Sequence, residues 1–196
     1  MLEAISNRRS IRKYKNKPVE KQIIEKILEA GSLAPSSKNR QPWRFVVVQG
    51  DAKESMLKIM RKGLNREKES PLLPESMQYY NGAENSLDIM KQAPVVIFII
   101  NPFGLNIHRS VNPEERIYEI CNAQSVGAAI ENMALTATEY GLGSLWICDT
   151  YFAYDELSQW LGGQGELMAA MAIGYGDERP CARPRKKLDE MVEWRI

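Results

Sequence analysis

Histidine and cysteine, on which many metal sites and nucleophilic active sites depend, are scarce in this chain of 196 residues. It holds one histidine, His108, and three well-separated cysteines, Cys121, Cys148 and Cys181. A lone imidazole offers no second histidine for a zinc site, and an odd number of dispersed thiols does not make a disulfide framework. A Ser-His-Asp or Cys-His hydrolase would need His108 as its base, although a single histidine in a loop more often lies on the surface. We therefore expect neither a metal site nor a catalytic side chain of this kind.

Long hydrophobic runs are also missing. The longest apolar stretch, residues 93–100, has eight residues, whereas a helix that crosses a membrane needs roughly 20. The basic N-terminus is not followed by the apolar segment of a secretory signal, so we expect a cytoplasmic protein with no membrane partner. No Gly-x-Gly-x-x-Gly motif follows a predicted strand and no Walker loop is present, which argues against a Rossmann dinucleotide site and a P-loop.

The net charge of the chain is +1, but both of its terminal segments are basic. Residues 1–17 contain six cations and one acid, and residues 179–196 contain six cations and three acids, so the rest of the chain is acidic. Two basic ends could bind a nucleic-acid backbone, or they could converge on one compact anion such as a phosphate. Because neither a broad basic surface nor a nucleic-acid recognition motif is visible, we expect no nucleic-acid partner.

The hydrophobic pattern predicts helices that alternate with four short strands, which is typical of an α+β sandwich. The predicted strands are residues 45–48, 95–100, 145–147 and 168–173. The predicted helices are residues 2–7, 19–30 with Gly31 as their stop, a segment capped by Asp51, 113–140 and 154–161. The length of the chain favours one domain over residues 1–196.

For three segments the sequence predicts more specific structural features. Residues 63–85 show only weak periodicity, which predicts a loop with partial helix. The long helix over 113–140 has small and apolar residues on more than one side, so it should be buried on several sides, inside the domain or in a dimer interface. Pro180 and Pro184 predict that residues 180–196 form an extended tail that lies against another surface.

Two polar segments suggest a binding site for an anion and a heterocycle. The first is the basic cluster Arg8-Arg9-Ser10-Ile11-Arg12 at the end of the first helix. The second, Pro35 to Trp43, places hydroxyl, amide and guanidinium groups on a loop that its two prolines keep from becoming helical. Such side chains serve a ligand better than a core, because burying unpaired polar groups is costly.

This pair of motifs, in this order, resembles the flavin-binding signature of the nitroreductase family of FMN-dependent oxidoreductases. The resemblance extends from about residue 3 to about residue 190. It implies a three-layer α-β-α sandwich with a mixed, mainly antiparallel central sheet and a long buried helix, in a protein that forms homodimers. It also implies that FMN binds at the subunit interface.

The resemblance assigns cofactor-binding roles to individual residues. Arg8 and Arg9 would face the FMN phosphate, Ser10 the phosphate or ribityl chain, and Arg12 the N1/O2 edge of the ring. The tail motif Arg183-Pro-Arg185 would return to the same phosphate. The residues that would reach the flavin of the partner subunit are Pro35, Ser36, Ser37 and Asn39.

Further residues are assigned to the ring. Asn85 matches an amide that contacts the pyrimidine edge, and Trp146-Ile147-Cys148-Asp149 falls where the family passes a strand end by N5 and O4. The chain departs from the family twice: Asp88 stands where some members have lysine, and Cys148-Asp149 stands where many have an acidic residue followed by glycine. We assign no catalytic part to Cys148, because a cysteine more often serves as a small apolar side chain.

The function implied is that of an oxidoreductase which takes hydride from NADH or NADPH and reduces a small electrophilic acceptor by a ping-pong mechanism. Nitroaromatics and quinones are acceptors of this class. No side-chain acid or nucleophile is required, which agrees with the scarcity of histidine. A flavin-binding protein without catalysis, for storage or sensing, would use the same residues and remains the alternative.

Overall fold

The chain folds into six α-helices and four β-strands, and the computed structural model describes residues 1–196. The helices are α1 (Glu3–Asn7), α2 (Lys21–Ser32), α3 (Ala52–Glu69), α4 (Tyr80–Gln92), α5 (Pro113–Glu139) and α6 (Tyr154–Trp160). The strands are β1 (Arg44–Val48), β2 (Val95–Asn101), β3 (Gly143–Ile147) and β4 (Glu166–Gly174). Short 3-10 turns lie at Ser37–Asn39, Pro74–Tyr79, Asp149–Ala153 and Leu188–Glu190.

The four strands form one sheet in the order β1-β2-β4-β3, and all three neighbouring pairs are antiparallel. Every residue of β2 is buried, because this strand has a partner on each side and helices over both faces. A register shift between Ile99 and Ile100 lets Asn101 pair with Glu166 at the end of the ladder.

Alternating residues of the central strands point to two separate cores. Val96, Phe98 and Ile100 of β2 belong to the core shared with α3, α4, α6 and the turn that follows β3. Val95, Ile97 and Ile99 belong to the core shared with α2 and α5. The period of two in a strand therefore divides the chain into three layers, helix, sheet and helix.

This architecture confirms the predicted α+β three-layer sandwich, and each of the four strands lies within two residues of its predicted bounds. The predicted mixed sheet differs in one detail. Its only parallel contact is an isolated bridge between Ser10 and Ser144, outside the named strands.

Residues 63–85, predicted to form a loop with partial helix, are α-helical at both ends, with a 3-10 turn at Pro74–Tyr79 between the two helices. Helix α3 continues to Glu69 and α4 begins at Tyr80. Tertiary contacts stabilise this helical structure: Leu64 and Glu67 are fully buried. The Glu67 carboxylate accepts hydrogen bonds from the backbone N–H groups of Leu72 and Leu73, at 3.0 and 2.7 Å, which satisfies the buried charge where the chain leaves the helix.

The prediction that Gly31 stops α2 is wrong. The helix passes through Gly31 to Ser32, and Gly31 is buried between α2 and α5. A Cβ at this position would lie 2.8 Å from the Met133 side chain and 3.2 Å from that of Phe45. Glycine is therefore needed here for the close approach of the two helices and not for a left-handed stop.

Helix α5 is buried over its C-terminal part, where Ile130, Met133 and Ala137 have no exposed surface. Its N-terminal turns differ, because Ile117 and Ile120 are exposed by 60% and 50% in the isolated protomer. Within one protomer, only the second half of α5 is buried on several sides as predicted. None of the helices combines the length and the apolar character needed to cross a membrane.

Candidate active site

The basic segment that follows α1 is held against the sheet by main-chain hydrogen bonds. The N–H of Ile11 donates to the carbonyl of Ser144 at the edge of β3, at 3.0 Å. The N–H of Lys15 donates to Tyr175, and that of Asp177 donates to Lys13, at 2.8 and 2.9 Å. Residues 10–15 are therefore an extended segment on the β3 side of the sheet, with Ile11 in the core and Arg12 facing outward.

The two ends of the chain meet in a cavity of about 290 Å³, which we call the arginine pocket. The backbone N–H of Arg12 donates to the Glu178 carboxylate, and this bond holds the start of the tail beside the N-terminal segment. The pocket is lined by five arginines and no carboxylate. Its lining residues are Ile5, Ser6, Arg8, Arg9, Ser10, Arg12, Pro180, Cys181, Ala182, Arg183 and Arg185.

Most of the cationic charge in this pocket is not neutralised by the protein. Arg8 forms a salt bridge to Glu131, with 3.3 Å between Nε and Oε1. The guanidinium groups of Arg9 and Arg12 bond only to backbone carbonyls, those of Ser6, Arg8 and Ser10. Concentrated like charge without counterions favours binding of a compact anion, and guanidinium groups match phosphate oxygens in pairs.

A second cavity, of about 670 Å³, opens where β3 ends, and we call it the strand-end pocket. Arg12 lines both cavities, so a ligand with an anionic end and a flat polar body could occupy the two together. One wall is the β3 end and the other is α4. Its lining residues are Arg12, Lys13, Gly82, Asn85, Ser86, Asp88, Ile89, Gln92, Leu145, Trp146, Ile147, Cys148 and Asp149.

A side-chain contact joins the two walls of the strand-end pocket. The hydroxyl of Ser86, which is 5% exposed, donates to the Asp149 carboxylate at 2.5 Å. Partial desolvation raises the pKa of the Cys148 thiol, and the nearby negative charge of Asp149 raises it further. Cys148 therefore stays a neutral thiol near pH 7, which makes it a poor nucleophile.

The structure thus gathers eleven of the fifteen residues predicted to bind cofactor into two adjoining pockets. Those in the arginine pocket are Arg8, Arg9, Ser10, Arg12, Arg183 and Arg185, and those in the strand-end pocket are Arg12 again, Asn85, Trp146, Ile147, Cys148 and Asp149. The remaining four, Pro35, Ser36, Ser37 and Asn39, line neither pocket.

The loop that carries these four residues lies against the middle of α5. The N–H of Ser37 faces the hydroxyl of Ser125 at 3.4 Å, and the Ser36 hydroxyl accepts a bond from the N–H of Gln41 at 3.0 Å. Arg40 stacks between two rings, with its guanidinium carbon 4.9 Å from the centroid of Tyr118 and 5.4 Å from that of Phe103. These contacts fix the loop on α5, away from the sheet edge that holds Arg12.

The same loop stores backbone strain. Lys38, Asn39 and Gln41 have φ angles of 53°, 53° and 50°, and they are the only non-glycine residues of the chain with positive φ. Each such conformation costs of order 1 kcal/mol or more and persists only where the surroundings enforce it. Strain concentrated in one polar loop supports its interpretation as a binding element.

Sequence reasoning missed Lys13, Ser86 and Cys181 among the lining residues. Ser86 follows Asn85 directly, but nothing in the sequence signals its bond to a residue 63 positions away. Cys181 lies two positions before Arg183, and its place in the arginine pocket depends on the course of the tail. These contacts are set by the packing of distant segments.

Outside the pockets, a buried carboxyl group stands at the start of β4. Glu166 is 4% exposed, and the Tyr154 hydroxyl donates to its Oε2 at 2.6 Å. Burial raises the pKa of Glu166 to about 7, although the bond from Tyr154 and nearby His108 act in the opposite direction and Glu119 adds to the increase. The group is therefore largely protonated in the folded protein below neutral pH.

This shift predicts that folding stability decreases as the pH rises. The pKa is higher in the folded than in the unfolded chain, so the contribution is complete below about 4.5 and is lost as the pH passes about 7. Denaturant titrations between pH 5 and pH 8 should show that the wild type loses about 2 kcal/mol more stability than Glu166→Gln. The exposed tail variant Glu190→Gln should follow the wild type, and parallel profiles for Glu166→Gln and wild type would contradict the assignment.

Comparison with known proteins places this geometry in a family. The family model described as "Nitroreductase family" matches residues 5–175. The chain is 26% identical to YfhC of Bacillus subtilis (strain 168), which carries the name NAD(P)H nitroreductase, over 93% of this chain and 88% of the relative. It is 28% identical to an NADH dehydrogenase of Thermus thermophilus, over 98% of this chain and 94% of the relative.

The fold is also similar to that of a solved nitroreductase structure. A nitroreductase from Desulfovibrio desulfuricans, crystallised in complex with FMN, superposes with a TM-score of 0.71 and 26% sequence identity. The match covers 99% of this chain and 96% of that structure. The similarity therefore includes the basic N-terminal segment, the strand end and the tail.

Proposed function

This chain belongs to the nitroreductase family, and we propose that it is an FMN-dependent oxidoreductase that takes hydride from NADH or NADPH and reduces a small electrophilic acceptor. Family membership confirms the resemblance inferred from the sequence. The observation that carries the proposal is the junction at Arg12 of a pocket with five arginines and a larger pocket at a strand end. The names of the relatives, NAD(P)H nitroreductase and NADH dehydrogenase, agree with this chemistry.

The residues of the arginine pocket fit the dianionic phosphate of FMN. The guanidinium groups of Arg9, Arg12, Arg183 and Arg185 have no carboxylate partner, so their charge is available to a ligand. Ser10 adds a hydroxyl suited to the phosphate or the ribityl chain. A phosphate held by several guanidinium groups also keeps the coenzyme bound between the two halves of a ping-pong cycle.

The strand-end pocket would hold the flavin ring. FMN bound there would supply the hydride chemistry that links the nicotinamide to the acceptor. Arg12 would stabilise negative charge at the N1/O2 edge, Asn85 would bond the pyrimidine edge, and the backbone of Trp146 to Asp149 would face N5 and O4. The raised pKa of Cys148 supports a passive role for that thiol.

We further propose that the protein functions as a homodimer with FMN at the subunit interface. Because the loop of Pro35, Ser36, Ser37 and Asn39 lines neither pocket of its own protomer, its polar groups are free to serve a second copy. Beside that loop, α5 exposes Ile117, Tyr118 and Ile120. The tail likewise exposes Leu188, Met191 and Trp194, apolar surface that a partner subunit would cover.

A dimer-breaking substitution tests this arrangement. Ile120→Asp places a charge in the exposed apolar face of α5 and is expected to give monomers that retain FMN at least about tenfold more weakly, because part of the site is lost with the partner. Analytical ultracentrifugation and FMN titration measure the two effects. Tyr79→Asp, which changes an exposed aromatic residue in the turn before α4, is the matched control; dimers of Ile120→Asp with normal FMN affinity would refute the proposed interface.

The activity itself is tested with freshly purified protein. We expect a yellow protein with a flavin absorbance spectrum, and rapid loss of the oxidised flavin band on anaerobic mixing with NADH or NADPH. Reoxidation by a nitroaromatic compound or a quinone should restore the band and complete the cycle. A persistent oxidised spectrum would favour a flavin-binding protein without catalysis, and a colourless preparation that does not take up FMN would refute both functions.

A further inference from the structure

The two adjoining pockets differ sharply in charge. The arginine pocket combines five guanidinium groups with no carboxylate. In the strand-end pocket the cations Arg12 and Lys13 are balanced by the carboxylates of Asp88 and Asp149. Once bound coenzyme engages Arg12, the charged side chains that remain to face an acceptor in the second pocket are Lys13 and the two carboxylates, so negative charge is in excess there.

We propose that Asp88 and Asp149 make the strand-end pocket select neutral and cationic acceptors and discriminate against acceptors that carry a carboxylate. This inference rests on the proposed function, because it names the substrate class of the same site. It concerns electrostatic selection by repulsion, a common basis of specificity.

Neither carboxylate is neutralised within the protein. Asp88 and Asp149 are absent from all nine ion pairs of the chain. Asp88 is exposed on α4, and Asp149 is partly exposed at the end of β3. No cation is therefore within salt-bridge distance of either carboxylate, and both face the cavity between them.

Asp149 is also held in place. The Ser86 hydroxyl fixes one of its oxygens at 2.5 Å, and the neighbouring position on the α4 wall is Gly82, where an added Cβ would lie 3.8 Å from the same oxygen. The absence of a side chain at Gly82 leaves the carboxylate open to the cavity. Asp149 lines the cavity beside Cys148, so its charge lies at the pocket wall.

The bond between Ser86 and Asp149 could instead serve only to tie the strand end to α4. Two substitutions distinguish the effect of the Asp149 charge from that of the Ser86–Asp149 hydrogen bond. Asp149→Asn removes the charge and keeps an oxygen that accepts from Ser86, whereas Ser86→Ala removes the bond and keeps the charge. Asp88→Asn changes charge alone, because Asp88 has no side-chain partner and is exposed on its helix.

The experiment uses FMN-loaded enzyme and three para-substituted nitrobenzenes that differ in charge. 4-Nitrobenzoate is anionic, 4-nitrobenzamide is neutral, and (4-nitrobenzyl)trimethylammonium is cationic. We expect kcat/KM for the anion to be at least about tenfold below that for the neutral acceptor, with the cation equal to or above the neutral compound. Asp88→Asn combined with Asp149→Asn should reduce the anion penalty to about threefold or less, and Ser86→Ala should retain it.

A binding measurement provides a second readout that does not depend on turnover. Benzoate, benzamide and benzyltrimethylammonium are not reducible, and their dissociation constants can be obtained from quenching of tryptophan fluorescence, to which Trp146 in the pocket contributes. The same order of affinity is expected, weakened by salt. Asp51→Asn is the matched control: Asp51 lies at the N-cap of α3, outside both pockets, and its side chain makes no capping bond.

The outcomes distinguish this inference from the proposed function. If the enzyme reduces all three acceptors with equal kcat/KM, or if the double variant keeps the full anion penalty, the charge selection is refuted while the reductase activity stands. If no acceptor is reduced but the binding order holds and is lost in the double variant, the charge selection is supported and the reductase activity is refuted.

Discussion

Replacing Arg12 with alanine is expected to weaken FMN binding by about 10- to 100-fold and to lower the reduction potential of the bound flavin. Arg12 is the one residue that lines both pockets, and its guanidinium contacts only a backbone carbonyl within the protein. A charge-assisted hydrogen bond contributes roughly 1.5–3 kcal/mol, which corresponds to this range of affinity. Titration of the apoprotein with FMN, followed by flavin fluorescence, measures the change.

Two further variants sharpen this prediction. Arg12→Lys keeps a positive charge without the paired donors of a guanidinium group, so we expect an intermediate affinity. Arg195→Ala removes an exposed arginine that bonds only to Glu193, and it should bind FMN like the wild type. Equal affinity and potential in Arg12→Ala and wild type would show that this cation does not face the flavin.

The second large effect is expected from Gly143→Val at the start of β3. A Cβ at Gly143 would lie 2.6 to 2.8 Å from three side-chain atoms of Ile11. Valine cannot fit unless the segment of residues 10–15 moves, and overpacking of this kind costs about 1–3 kcal/mol. Because Arg12 follows Ile11 directly, we expect lower stability together with weaker FMN binding, measured by denaturant titration and by FMN fluorescence.

Gly127→Ala is the control for this substitution. Gly127 lies in α5, and the nearest atom to an added Cβ is in the ring of Trp146 at 3.6 Å, an ordinary contact. Alanine in a helix is favoured over glycine by about 0.5–1 kcal/mol, so this variant should be as stable as the wild type or more so. If Gly143→Val matched Gly127→Ala in stability and FMN affinity, the close packing of Ile11 on β3 would not govern the position of Arg12.

The strands and most helices were predictable from the sequence because their signals are local. The run Val95 to Ile100 is apolar on both sides of the strand, as a central strand requires, and β2 is buried throughout. Proline at the start of α5 and the capping box between Asn112 and Glu115 mark the beginning of that helix.

Errors occurred where packing decided the structure. The polar surface of residues 63–69 hides a helix whose Leu64 is buried in the core that α3 shares with α6 and the turn that follows β3. At Gly31 the sequence suggested an end, but the neighbouring helix required a residue without a side chain. In both cases the deciding partners were distant in sequence, so local propensity carried no information about them.

In the site, too, local motifs were predictable from the sequence and long-range contacts were not. The types of residue were readable from the motifs Arg8 to Arg12, Pro35 to Trp43 and Arg183 to Arg185. The family match over residues 5–175, which includes the first two motifs, confirmed the family resemblance. The bond from Ser86 to Asp149 and the presence of Arg12 in both pockets could not be read, since each joins segments separated by dozens of residues.

The sequence by itself determined the chemical inventory of this protein: many cations at its two ends, one histidine, and a polar loop between prolines. It also determined the order of the four strands and of the helices other than α4, because hydrophobic period and turn residues act over a few positions. Tertiary structure alone decided that both basic ends meet beside β3, that the polar loop lies apart from them on α5, and that two carboxylates balance the charge of the strand-end pocket. The physical reason is that charge and burial act through space, so their effect depends on which distant residues the folded chain brings together.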